Sequence, residues 1–164
     1  MLTEKMVDAL NSQINEEFYS AYLYMAMAEY YQDNKLPGFA SWLRIQADEE
    51  LGHGMKIISY LQDRNARAIF KAIAEPPREW KSPQAAVEEV LKHERHITSS
   101  INKLSDLAFE MKDHATRTFL DWYVKEQVEE EGNITTIIDQ ISMVAQMPSG
   151  LFMIDRELAK RAKH

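Results

Sequence analysis

Apolar residues recur at three- and four-residue spacing along almost the whole chain, and no stretch alternates apolar with polar long enough to suggest a strand. The inward positions of the first segment are Leu10, Ile14, Glu17, Ala21, Tyr24 and Ala28, and those of the second are Phe39, Leu43, Gln46, Glu50, His53, Ile57 and Leu61. A third segment gives Val87, Val90, Glu94, Ile97, Ile101, Leu104 and Ala108, and a fourth gives Leu120, Tyr123, Gln127, Glu130, Ile134, Ile137 and Ile141. Punctuation bounds each of them. Thr3 as a cap predicts a helix over about 3–32, closed by "DNKLPG", and Pro37 opens a second over about 37–64. Ser82 as cap with Pro83 at the first helical position opens a third, about 83–112. A short "DH" link leads to a fourth, about 115–146, where Pro148 and Gly150 precede a short fifth helix over about 150–163.

Link lengths then fix the topology. Short links make the first and second helices, and the third and fourth, antiparallel neighbours. Between the pairs runs "ARAIFKAIAEPPREWKS", roughly 17 residues holding Pro76 and Pro77, far longer than an ordinary helix link. A helix of ~27 residues is about 40 Å long, and ~17 extended residues reach roughly 55 Å, so this loop can traverse the bundle. The predicted fold is all-α: an up-down-down-up four-helix bundle with a long crossover loop and a short fifth C-terminal helix, one domain over residues 1–164.

Each inward stripe is apolar at both ends and polar near its middle. Because the helices are similar in length and lie side by side, Glu17, Glu50, His53, Glu94, Gln127 and Glu130 should converge at one depth. Taken singly, a mid-helix glutamate is more often solvated than ligating; convergence of six polar positions reverses that judgement. Four buried carboxylates cannot all stay ionised unaided, since desolvation costs several kcal/mol per ion and their repulsion adds to it. No Lys or Arg occupies these stripes. Two divalent cations would bring +4 against −4, with imidazole and amide completing the ligand sets. Carboxylate oxygen with one imidazole suits iron or manganese better than zinc or copper. Glu50-x-x-His53 is the i, i+3 spacing that puts two ligands on one helix face, which explains how a helix comes to contain "ADEELGHGM". Gly52 and Gly54 in that stretch each cost roughly 1 kcal/mol relative to Ala and are expected to admit a close neighbour.

Composition narrows the function classes. With 26 acidic against 19 basic residues the net charge is −7, which argues against a nucleic-acid partner. The basic tail "RELAKRAKH" reads as cations favoured at a helix C-terminus by the macrodipole. The absence of cysteine excludes disulfides, thiol nucleophiles and iron–sulfur clusters and fits a cytoplasmic chain. The start lacks the pattern of a secretory leader, and no apolar run approaches the ~18 residues of a membrane span, so no membrane is expected. His93, His96, His114 and His164 lie off the stripes or near helix ends and read as surface residues, as does Glu131. The nine methionines and most tyrosines read as core and subunit contacts.

The stretches "ALNSQINEEFYSAYLYMAMA", "GFASWLRIQADEELGHGMK", "EPPREW" and "FLDWYVKEQVEEE" resemble the most recognisable segments of the prokaryotic non-haem ferritins, of the ferritin-like di-iron family, and the likeness covers nearly the whole chain. Carried over by position, the resemblance implies Glu17, Glu50 and His53 at a first iron site, with Glu50 bridging to a second at Glu94 and Glu130, and Gln127 beside the pair. Glu49, Glu126 and Glu129, with Glu130 shared, match the acids of a third iron site just inside the cavity wall. Tyr24 matches the tyrosine beside the di-iron centre. The implied activity is that of a ferroxidase: Fe(II) is oxidised with O₂ or H₂O₂, and ferric mineral is stored inside a shell of 24 identical chains. Bacterioferritins and rubrerythrins carry a second Glu-x-x-His where this chain has Gln127-x-x-Glu130, and Gly52 stands where a bacterioferritin offers methionine, so no haem is expected. The acids of the threefold channel in animal ferritins fall on Arg117 and Leu120, leaving Asp121 nearby. The alternative is a peroxide-scavenging di-iron protein of mini-ferritin or rubrerythrin type, without a large mineral store.

Overall fold

The computed structural model describes residues 1–147 and 149–161. Its helices are α1 (Glu4–Asp33), α2 (Pro37–Asp63), α3 (Pro83–Glu110), α4 (His114–Val144) and α5 (Gly150–Leu158), and no strand occurs among the described residues. The fold is the all-α bundle expected, with α1 packed along α2, α3 along α4, α1 against α3, and α5 against α2 and α4. Residues 64–82 cross between the two pairs without helix or strand. The expectations placed on Pro148 and His164 lie outside the described residues. Among those described, no helix is long and apolar enough to cross a membrane.

The two predicted caps, Thr3 and Ser82, hold their helix starts, and Asp113 of the short link caps the fourth. Thr3 Oγ1 accepts from Met6 N at 3.3 Å, Ser82 Oγ from Ala85 N at 3.1 Å and Asp113 Oδ1 from Thr116 N at 3.1 Å, each satisfying one of the orphan first-turn donors. The helix ends are less conventional. Lys35, Asn65 and Lys112 follow α1, α2 and α3 in the left-handed region, with φ of 62°, 56° and 55°. Each is followed by a residue whose N–H returns to a last-turn carbonyl: Leu36 to Tyr31, Ala66 to Leu61 and Asp113 to Ala108, at 3.0, 2.8 and 2.9 Å. This is the Schellman closure, built here without glycine.

The apolar core is split. One cluster gathers Tyr24, Met27, Tyr31, Phe39, Leu43, Val87, Val90, Ile134 and Ile141, and the other gathers Met6, Leu10, Ile14, Ile57, Leu61, Ile97, Ile101 and Leu120. Every bundle helix contributes to both. The seam between them is the polar middle of each stripe, so the amphipathic pattern that builds the bundle also places its polar layer.

Candidate metal centre

Glu17 on α1, Glu50 and His53 on α2, Glu94 on α3, and Gln127 and Glu130 on α4 are all buried in that seam, with Glu17 and Glu94 each only 1% exposed. No lysine or arginine is buried among the described residues. Ligand atoms of Glu17, Glu50 and His53 lie within 4.8 Å of one another, as do those of His53, Glu126 and Glu130. His53 stands between the two groups: its Nδ1 is 3.1 Å from Glu50 Oε2 and 3.8 Å from Glu17 Oε2, and its Nε2 is 4.0 Å from Glu126 Oε1. Glu94 joins neither triad. Its Oε1 accepts from the Tyr24 hydroxyl and its Oε2 from Gln127 Nε2 at 2.9 Å, so Tyr24 and Gln127 fix this carboxylate from opposite sides.

The electrostatics follow from burial without compensation. Burial first and Glu50 second hold the Glu17 carboxyl well above the usual range, and burial first, then Glu94 and Glu130, do the same for Glu50. Glu94 is also raised by burial. Glu130 is pushed up to about 7 by burial and then by Glu94. Tyr24 is held neutral by burial and by the neighbouring Glu94. Glu17 Oε2 is buried without a hydrogen-bond partner. Such an atom normally costs ~1–3 kcal/mol, and it lies in the triad with Glu50 and His53. The donor set fits a divalent cation that takes oxygen and one nitrogen.

Two glutamines complete the layer. Gln13 Nε2 donates to Glu17 Oε1 at 2.8 Å, and Gln46 Nε2 donates to Glu130 Oε2 at 2.7 Å and to Glu50 Oε1 at 3.3 Å. Sequence reasoning left both out of the site. The signal was present: each precedes a layer glutamate by four residues, which is one helix face. Gly52 and Gly54 differ. A Cβ on Gly54 would meet the Phe18 ring at 2.5 Å, whereas Gly52 has nothing within 4 Å, so the close neighbour expected of both exists only at Gly54.

Three surface assignments need correction. His93 is buried, with its Nε2 2.7 Å from Ser20 Oγ and its ring edge-on to Tyr19 and Tyr24. There α3 packs against α1, so its covered face is wider than the three-four stripe. Burial first and His96 second pull the His93 imidazole down to about 4. His96 and His114 are exposed as expected. Glu131 is half-buried and paired, accepting from Thr98 Oγ1 at 2.6 Å with Arg95 Nε 3.6 Å away. The basic tail does more than answer a helix dipole. Arg161 donates to Glu49 Oε2 at 2.5 Å and to Gln46 Oε1 at 2.9 Å.

Outside the buried layer, Glu49, Glu126, Glu129, Glu130, Asn133 and Arg161 line an open pocket of about 480 Å³. Glu49 and Glu126 are half-buried and Glu129 is exposed. Glu130 belongs to both pocket and layer, and Glu126 approaches His53. At the α3–α4 corner Arg117 and Asp121 are exposed and Leu120 is buried.

A family model for the ferritin-like domain matches residues 7–144. A bacterial non-heme ferritin of Staphylococcus saprophyticus is 43% identical over 162 residues, covering 99% of this chain and 97% of the relative. The fold superposes on an open-pore ferritin of the hyperthermophilic archaeon Archaeoglobus fulgidus with a TM-score of 0.97 at 45% identity, covering 99% and 100% of the two chains. It also matches a closed form of that ferritin engineered by site-directed mutagenesis, with a TM-score of 0.98 at 44% identity and full coverage of both chains.

Proposed function

The chain belongs to the ferritin family, and on that premise we propose that it oxidises Fe(II) at the buried carboxylate layer and stores the ferric product inside a shell of 24 copies. The observation that carries the reading is Glu17 Oε2, buried without a hydrogen-bond partner in a seam of four buried glutamates with no buried lysine or arginine among the described residues. Iron is here the substrate and the cargo.

Glu17, Glu50 and His53 take the first Fe(II), and Glu50, Glu94 and Glu130 the second. Entry of each cation displaces protons from carboxyls that burial holds in the neutral form, and the charge of the two ions replaces them. Each Fe(II) gives one electron to O₂, which takes two electrons and two protons and leaves as H₂O₂. H₂O₂ itself accepts two electrons and two protons to give water. Gln13, Gln46 and Gln127 hold the carboxylates in place through their amide N–H groups, and Tyr24 holds Glu94, so the ligands are oriented before iron arrives. The group formed by His53, Glu126 and Glu130 joins the dry layer to the acidic pocket, and the oxidised ion leaves along it. Glu49, Glu126 and Glu129 act as a third, weaker site on that path. A cysteine-free chain suits the reducing cytoplasm in which this iron chemistry would run.

Sizing the native assembly with iron analysis on the same fractions tests the reading. The expected particle is about 460 kDa, 24 chains of 19.1 kDa, with iron co-eluting far above two ions per chain. A particle half that size, or one that never exceeds a few ions per chain, overturns storage and favours the peroxide-scavenging alternative.

A further inference from the structure

The third site in the proposed function already contains a cation that belongs to the chain. α5 is anchored on α2 by Asp155, whose Oδ1 accepts from Phe39 N at 2.9 Å, and six residues later Arg161 lies over the same side of α2. Phe39, Trp42, Gln46 and Glu49 are spaced by three, four and three residues, a single helix face. Arg161 contacts three of them: its guanidinium carbon stands 5.3 Å from the Trp42 ring centroid, and its N–H groups donate to Gln46 Oε1 and Glu49 Oε2 at 2.9 and 2.5 Å. Its side chain is only 21% exposed. This is a three-point seat in a pocket whose other lining residues are four glutamates and an asparagine.

We propose that Arg161 is a tethered counter-cation that competes with the incoming metal for Glu49, so that the acidic pocket fills only when the C-terminal turn releases this carboxylate. A metal ion at Glu49, Glu126 and Glu129 draws on the same carboxylate that the guanidinium holds through Oε2, and two positive charges on one carboxylate repel one another. Occupancy by metal and seating of Arg161 therefore oppose each other, and by linkage each weakens the other equally. The same guanidinium fixes the amide of Gln46, with the oxygen outward to Arg161 and the nitrogen inward to Glu130 and Glu50. Release of Arg161 thus frees a side chain of the inner layer at the moment the outer pocket fills. The inference rests on the third site of the proposed function and adds to it the residue that sets its threshold.

The test is calorimetric titration of the metal-free native assembly with Zn(II), a redox-inert divalent ion, on the parent chain, Arg161→Gln, Arg161→Lys and the control Arg156→Gln. Arg156 is an exposed cation on α5 that does not line the pocket, so the control removes the same charge from the helix that carries the Arg161 turn. The expected result is a third binding event about two- to fivefold tighter in Arg161→Gln, the range for loss of one partly solvated ion-pair competitor. The two tighter events and Arg156→Gln should match the parent, with Arg161→Lys in between. Equal tightening in Arg156→Gln would reduce the effect to bulk charge and overturn the proposal. So would an unchanged third event in Arg161→Gln, which leaves the third site itself standing. Absence of any third event in both parent and variant removes the third site and this proposal together.

Discussion

Asp155 on α5 caps α2 from across the fold, its Oδ1 accepting the Phe39 N–H at 2.9 Å. The reason lies at the helix start. α2 begins Leu36-Pro37-Gly38, and Leu36 has no side chain able to cap, although Pro37 suits the first helical position. The first-turn donors are buried, so an acceptor has to come from elsewhere. Gly38 permits the approach, since a Cβ there would sit 1.7 Å from Asp155 O. A carboxylate at a helix N-terminus also answers the macrodipole.

Asp155→Ala should therefore destabilise the chain by about 1–2 kcal/mol, the range of a lost N-cap, and Gly38→Ala by more, because backbone has to move. Hydrogen exchange should localise the loss in Asp155→Ala to the first turn of α2 and to α5. Unchanged exchange at Phe39 would show that water replaces the cap without cost.

Replacement of Glu50 or His53 by Ala should abolish the fast oxidation phase at two Fe(II) per chain, read by rapid-mix absorbance of the ferric product. In the proposed function Glu50 serves both irons and His53 supplies the nitrogen donor. The metal-free fold should survive in Glu50→Ala, because burial with Glu94 and Glu130 nearby already disfavours that charge. Parent-like fast kinetics in His53→Ala would remove it from the ligand set.

The pocket acids make a separable prediction. Glu49, Glu126 and Glu129 changed together to Ala should leave the first fast oxidation nearly intact while altering the rate of later rounds and the iron consumed per O₂. The partly solvated oxygens bind more loosely than a dry site with imidazole. Glu126 Oε1 stands 4.0 Å from Nε2 of the layer's His53. If every round and the Fe:O₂ ratio match the parent, the three acids are a solvated face.

The parts of this picture legible in the sequence are those governed by local periodicity. The three-four stripes predicted the bundle, and their polar centres predicted which six residues would share a depth. Thr3, Ser82 and Pro83 marked helix starts, because capping is decided within four residues. What stayed hidden depends on approach between distant segments. Nothing local tells that Asp155 will meet Phe39, that Arg161 will reach Glu49, or that α1 will cover His93. The roles of Gln13 and Gln46 fall between: their spacing from Glu17 and Glu50 was readable, but which glutamate oxygen each amide would meet was set by packing. Helix ends were readable as positions and not as devices, since Lys35, Asn65 and Lys112 adopt left-handed backbone without the glycine that usually announces it.

The stability of the metal-free chain should depend on pH through two buried groups of opposite sign. Glu130 is raised in the folded chain to about 7 by burial and by Glu94, against ~4.3 unfolded. Its favourable contribution is fully present below ~4.3 and is lost as pH rises through about 7. His93 is lowered to about 4, against ~6.5 unfolded, so its contribution is present above ~6.5 and is lost as pH falls through about 4. Between those limits the slopes oppose, each at most about 1.4 kcal/mol per pH unit. Glu17, Glu50 and Glu94, all raised, add to the Glu130 side. Denaturant unfolding of metal-free His93→Gln should therefore show stability falling more steeply than in the parent as pH rises from 4.5 to 6.5, and Glu130→Gln should show a shallower fall. Saturating metal removes the glutamate part, since bound ions hold those carboxylates deprotonated; stability should then rise with pH over the same interval, carried by His93. Identical profiles for parent and His93→Gln would mean that the imidazole gains a proton in place, and that its seat against Ser20 and Tyr24 tolerates charge.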